Sequence, residues 1–209
     1  MKIDKTTFPA PNTGFHKKKT TKKQIIIGFS LREDNNHIQR FYNKSFDDEK
    51  SWSTFTIDKK GIVYEHFNPK YYSEYLKSKP KVNPKVISIT LSNMGFLTQK
   101  ENGDFVNRLN EICPSSQVVQ KKIGDLEYWD SFPAEQIDSL VNLCIYLCKE
   151  YNIKQNAIDF VFYNKTTDAF NGIVFRSNYS SENIETNESF DIDNFVEQIN
   201  GNYEAETDE

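Results

Sequence analysis

The chain is poor in the residues that most enzymes and scaffolds lean on: three histidines (His16, His37, His66), three cysteines (Cys113, Cys144, Cys148) and eight scattered glycines in 209 residues. An odd, small number of cysteines cannot build a paired disulfide framework, which fits a reducing compartment. The glycines form no phosphate-cradling loop. No run approaches the roughly 18 consecutive apolar residues that a bilayer span requires. The N-terminal MKIDKTTFPAPNTGFHKKK has no apolar stretch after its lysines, so no secretory signal peptide is expected. Nothing in the histidine spacing resembles a ligand pair. His37 falls on an expected helix, His66 at a strand end and His16 in the N-terminal arm, so structural roles are expected for all three.

Other chemistries fare no better. Cys113 is followed by Pro114 and Ser115, which marks a loop, and no histidine partner can be named for a thiol nucleophile. Asp47, Asp48 and Glu49 run into Lys50 as a solvated turn. No carboxylate pair sits in two environments different enough to divide acid and base roles in a glycosidase.

What the sequence does have is aromatic bulk: 16 Phe and 11 Tyr, with 14% aromatic against 37% hydrophobic and 27% charged residues. Aromatics are therefore expected to fill much of the core. The net charge of −4 conceals a polarity along the chain. Residues 1–23 carry seven lysines against Asp4, a net of +6, while residues 194–209 carry five acids and no base. Such termini are either solvated tails or docking arms. Phe8, Pro9, Pro11 and Phe15 favour an extended arm packing on a partner, with Lys17, Lys18 and Lys19 beside them.

Periodicity sets the elements. Gln24–Ser30 (QIIIGFS) and Val86–Ser92 (VISITLS) read as buried strands. Residues 35–44 read as a helix through Ile38, Phe41 and Tyr42. Ser53–Asp58 and Gly61–Phe67 flank Lys59 and Lys60 as a hairpin. One helical turn is expected at Tyr71–Leu76, and Phe96–Trp129 reads as a long insertion with hairpin character. Pro133–Tyr151 is the clearest helix, its stripe formed by Ile137, Leu140, Val141, Cys144, Leu147, Cys148 and Tyr151. Cys144 and Cys148 lie on that stripe and read as core thiols, because no further ligands accompany them. Ala157–Tyr163 and Gly172–Arg176 read as strands and Ile192–Ile199 as a terminal helix. The fold class is α/β, a mixed central sheet packed by helices with extended terminal arms. The division expected is a basic arm (1–23), a domain (24–195) and an acidic tail (196–209).

Four collinear segments resemble the N-acetylmuramoyl-L-alanine amidases and peptidoglycan recognition proteins. QIIIGFS is similar to the family's first strand, which usually carries a histidine. STFTIDKKGIVYEHFNPKYYSEYL is similar to its hairpin and following loop. VISITLSNMGFLT resembles the strand written SIGIExxNxGxLT. EQIDSLVNLCIYLCKEYNI with GIVFRSNYSSENIE resembles the long helix and ligand-bearing loop. The resemblance implies zinc held by two histidines and an Asp or Cys, polarising an amide and acidifying a water. Residue by residue, the first histidine falls on Gly28 and the second on Arg176, or on Phe175 in a register shifted by one. The third ligand falls on or near Glu185. The loop histidine falls on Tyr75, the Glu of SIGIE on Thr90, and the catalytic Tyr or His near the hairpin around Ser53 and Thr54. Glycine offers no donor and arginine stays cationic. An Arg176–Glu185 ion pair could bridge the old cleft instead.

The expectation is therefore a degenerate, phage-encoded member without cofactor, metal or catalytic residues: a pseudoenzyme. Its first reading is a structural component of a phage tail or tail-associated ring, assembled in the host cytoplasm. Its partners would be other virion proteins or copies of itself, reached through the two arms, with no membrane. One alternative is a non-catalytic peptidoglycan-binding module using Arg176, Asn178 and Tyr179. The other is a cell-wall amidase with an unrecognised site.

Overall fold

The computed structural model describes residues 2–32, 38, 50–159, 162–179 and 189–207. Its centre is a six-stranded sheet built from β1 (Ile3–Asp4), β2 (Gln24–Phe29), β3 (Phe55–Ile57), β4 (Val63–Glu65), β5 (Val86–Leu91) and β11 (Gly172–Phe175), in the order β1-β4-β3-β5-β2-β11. Strands β3, β5, β2 and β11 run parallel; β4 returns antiparallel to β3. Every residue of β2 is buried, as a central parallel strand covered on both faces requires. The expected hairpin and buried strands are present.

Helix α1 (Ala134–Tyr151) begins after Pro133 and ends at Asn152, whose left-handed backbone (φ 52°) directs its N–H to the Cys148 carbonyl. Its apolar stripe enters the core through Leu140, Val141, Leu143, Cys144, Leu147 and Cys148. Each such leucine contributes roughly 1.5–3 kcal/mol. Cys144 and Cys148 are buried, and burial pushes both thiols up, Cys148 to about 12. The first turn is pinned by Gln136, whose amide donates to the carbonyls of Ile57 and Ser92, both at 3.0 Å. Gly61, at φ +74°, lets the hairpin turn press on this helix: a Cβ there would meet the Glu135 carbonyl at 2.4 Å. Helix α2 (Ile192–Thr207) covers the core with Phe195 and Ile199, and Phe175, Phe190 and Phe195 meet edge to face or tilted.

The insertion folds as a second, five-stranded antiparallel sheet, β8-β7-β6-β10-β9, from β6 (Phe96–Gln99), β7 (Phe105–Val106), β8 (Ile112–Cys113), β9 (Val118–Ile123) and β10 (Leu126–Asp130). It is anchored by Asp130, wholly buried, which takes Lys59 Nζ on one oxygen and the Met94 N–H (2.7 Å) on the other. Asn93 donates to the carbonyls of Asp130 and Ser131, both at 3.1 Å.

Three expectations change. Tyr71–Leu76 has no helical turn; the local 3-10 turn is Asn83–Lys85, where Pro84 sits at a helix start. Among the described residues of 157–163 there is no strand: Ala157 makes a single parallel bridge to Ile173. There the chain crosses so close to Gly172 that a Cβ would fall 2.2 Å from the Asn156 carbonyl oxygen. The N-terminal arm lies on its own domain. Ile3 and Asp4 pair with Val63 and Tyr64, Phe8 meets the Tyr64 ring edge-on, and Phe15 stacks on Phe67 at 4.6 Å. Lys17, Lys18 and Lys19 point to solvent. The helix expected at 35–44 lies outside the described residues, apart from buried Ile38. Among described residues no helix is long and apolar enough to cross a membrane.

Candidate active site

The C-terminal ends of the parallel strands converge on one cavity of about 230 Å³. Crevices at this edge are where open α/β sheets bind ligands. Phe29 and Ser30 come from the end of β2, Thr56 from β3, Thr90 from β5 and Arg176 from the turn after β11. Trp52, Ser53, His66 and Tyr75 complete the wall beside Arg32 and Lys77. The floor follows from register: Thr56 pairs with Thr90, and Thr90 with Gly28, in one row across three strands.

Above this row Tyr75 fills the space that Gly28 leaves. Its hydroxyl lies 3.1 Å from Thr90 Oγ1 and 2.3 Å from where a Cβ on Gly28 would stand. The Arg176 guanidinium covers the Tyr75 ring at 5.0 Å, and its Cδ and Cβ lie 3.3 and 3.5 Å from the same point. Of the two residues on which the second histidine could fall, Arg176 faces Gly28 and Phe175 is buried in the aromatic core.

The remaining expected positions separate. Thr54 is buried, its N–H donating to Ser88 Oγ at 2.9 Å, and it is Ser53 that lines the cavity. Asn178 braces the loop after β11, accepting from the Phe175 N–H (2.7 Å) and donating to the Phe162 carbonyl (2.9 Å). Tyr179 donates to Gln24 Oε1 at 2.6 Å, and burial pushes its phenol to about 12. Glu185, and with it the expected Arg176–Glu185 pair, lies outside the described residues.

His66, which sequence spacing set aside, meets Thr56 in the cavity wall. His66 is 4% exposed. One ring nitrogen, Nδ1, lies 2.7 Å from the Phe8 carbonyl oxygen, and the other, Nε2, lies 2.7 Å from Thr56 Oγ1. A carbonyl only accepts, so in the neutral ring Nδ1 carries the proton and Nε2 accepts from the Thr56 hydroxyl. The His66 main chain is held from both sides, its N–H donating to the Thr54 carbonyl (2.9 Å) and its carbonyl accepting from the Ala10 N–H (2.7 Å). Trp52 packs edge-on at 5.4 Å. Spacing could not reveal the pair, but the hairpin could: the turn at 58–62 sets position 56 opposite 64 and so brings 66 alongside.

A parallel-centred α/β domain with a crevice at its strand ends and an antiparallel annex defines the class of fold. Residues 17–174 match the family model of the N-acetylmuramoyl-L-alanine amidases, and the chain belongs to that family. No curated protein gives a significant sequence match. Among solved structures the chain is similar to the amidase LysC from Clostridium intestinale URNW (15% identity, 96% of this chain and 98% of that one, TM-score 0.52). It is also similar to the catalytic domain of XlyA (14%, 95% and 99%, 0.57) and to a mutant endolysin from Bacillus subtilis (15%, 95% and 99%, 0.56).

Membership of this family overturns the expectation of a pseudoenzyme. A zinc ion of the family's kind does not fit the described residues, however. Position 28 has no donor, position 176 is a permanent cation, and the Tyr75 hydroxyl fills the space between. Among the described residues no group of three His, Cys, Asp or Glu side chains converges to hold a metal. What the arrangement offers instead is hydroxyls, an oriented imidazole and three cations around one apolar-walled crevice.

Proposed function

We propose that this protein is a cell-wall amidase that takes the stem-peptide junction of peptidoglycan into the cavity at the strand ends and hydrolyses the amide between N-acetylmuramic acid and L-alanine. The observation that carries this reading is the placement of a crevice, in the fold of this amidase family, at the C-terminal edge of β2, β3 and β5. Phe29 and Trp52 give it apolar walls for a sugar face or lactyl group. Arg32, Lys77 and Arg176 suit the carboxylates of a stem peptide. This reading replaces that of a virion assembly component. The aromatic anchors on which the latter rested, Phe8 and Phe15, pack against Tyr64 and Phe67 of the same chain.

The test is digestion of purified peptidoglycan by the full-length protein. Mass spectrometry should show stem peptides with free L-alanine amino termini and glycan ending in intact lactyl carboxylates. Sedimentation of the protein with peptidoglycan without any new amino termini, across pH and with metals added back, would remove the hydrolytic reading.

A further inference from the structure

We propose that Thr56 and His66 form a hydroxyl–imidazole pair that carries out the hydrolysis, Thr56 as nucleophile and His66 as its base, independently of a bound metal. This rests on the reading of the chain as a cell-wall amidase. Three observations carry it. Both side chains line the cavity, and the Thr56 hydroxyl sits 2.7 Å from a nitrogen whose partner nitrogen is tied to the Phe8 carbonyl. That is the nucleophile–base–orienter arrangement in which a main-chain carbonyl fixes the tautomer. Thr56 also lies in the same cross-sheet row as Thr90 and Gly28, the floor of the cavity at the strand ends. Finally, Tyr75 and Arg176 occupy the space over Gly28, where the resemblance puts the family's first metal ligand, and a hydroxyl–imidazole route needs no metal at that point.

The steps balance with water as the only co-reactant. His66 Nε2 takes the Thr56 hydroxyl proton as Oγ1 bonds to the lactyl carbonyl carbon and the π pair moves onto oxygen. Arg32, Lys77 and Arg176 in the crevice wall give the site a positive field for the charge that develops there. Collapse breaks the C–N bond, and the proton on Nε2 passes to the departing L-alanine nitrogen. A water molecule then gives a proton to Nε2 while its oxygen attacks the ester carbonyl. The C–Oγ1 bond breaks and the proton returns to Oγ1, leaving a free lactyl carboxyl. Ser53 is the neighbouring hydroxyl, 3.4 Å from Thr56 Oγ1, but its own proton is donated to the Phe55 carbonyl at 2.9 Å.

The experiment uses full-length protein freed of metal by a chelator and a monomeric muropeptide as substrate, with and without hydroxylamine. Wild type should release stem peptide under chelation, and hydroxylamine should divert part of the product to a muramoyl hydroxamate, which requires an acyl intermediate. Thr56→Val and His66→Gln should lower release about 100-fold or more. Thr56→Ser should retain it. Release that chelation abolishes, that Thr56→Val leaves intact or that yields no hydroxamate overturns the pair while the amidase reading stands. No release by wild type, with or without added zinc, overturns both.

Discussion

The hydroxyl of Tyr75 stands 2.3 Å from the point where a side chain on Gly28 would begin. These two positions are therefore one packing decision. Position 28 stays empty because position 75 has moved in, held by Thr90 and roofed by Arg176. Four positions to which resemblance gave separate roles, two as lost metal ligands and two as other cleft residues, form a single interlocked unit.

That interlock has a measurable energy. Gly28→Ala should destabilise by about 1–3 kcal/mol, because the tyrosine must leave its rotamer or the strand must shift. In a Tyr75→Ala background the same change should cost little, giving a coupling of about 1 kcal/mol or more in a urea double-mutant cycle. Additive effects would mean that the two positions do not share the space.

Removing residues 1–10 should reach the crevice from the back. The deletion takes away the Phe8 carbonyl that orients His66 and the β1 pairing with β4. Amidase turnover should fall at least about tenfold with KM little changed, since the imidazole loses its fixed tautomer but the crevice walls remain. An equal loss in KM alone would assign the segment to substrate binding.

The Lys59–Asp130 pair is the bolt between the two sheets. Lys59→Met leaves a buried carboxylate and should destabilise by about 3–5 kcal/mol, with residues 96–130 becoming the first site of limited proteolysis. Burial pushes the Asp130 carboxyl up, with Lys59 as the counterweight. A raised folded value contributes stability that is present at low pH and lost as pH rises through it. The deficit of Lys59→Met should accordingly shrink as pH falls toward 4. A gap independent of pH would rule out Asp130 as its cause.

Lys22 supplies a second pH signature. Its ammonium is buried against the Tyr71 and Pro84 carbonyls (2.6 and 3.3 Å), and burial lowers it to about 8. Between about 8 and the ordinary lysine value the unfolded chain binds the extra proton. Folding stability should therefore rise with pH across that window, by at most about 1.4 kcal/mol per unit. The comparison of wild type with Lys22→Met in urea from pH 7 to 10 isolates this slope; parallel curves would show that Lys22 stays charged.

The central strands and the long helix were legible because their patterns are local. QIIIGFS and VISITLS can only be buried strands, and the three-and-four spacing from Ile137 to Tyr151 has one helical reading. The second sheet was less legible. Its strands are two to six residues long, and its anchor is a lysine–aspartate contact spanning 71 residues. The site was half legible: collinear resemblance found Gly28, Tyr75, Thr90 and Arg176 but also drew in Thr54, Asn178 and Tyr179, whose hydrogen bonds turn them into internal braces.

The sequence by itself determined the α/β class, the family likeness and the absence of a histidine at positions 28, 175 and 176, since these depend on residue identity and short periods alone. Only the tertiary structure decided that Phe8 and Phe15 belong to their own domain, that Tyr75 fills the space over Gly28, and that a threonine and a histidine ten residues apart meet in one crevice with a carbonyl from the N-terminal arm behind them. Those outcomes depend on register across the sheet and on which chain segment covers which edge, and no local pattern encodes either.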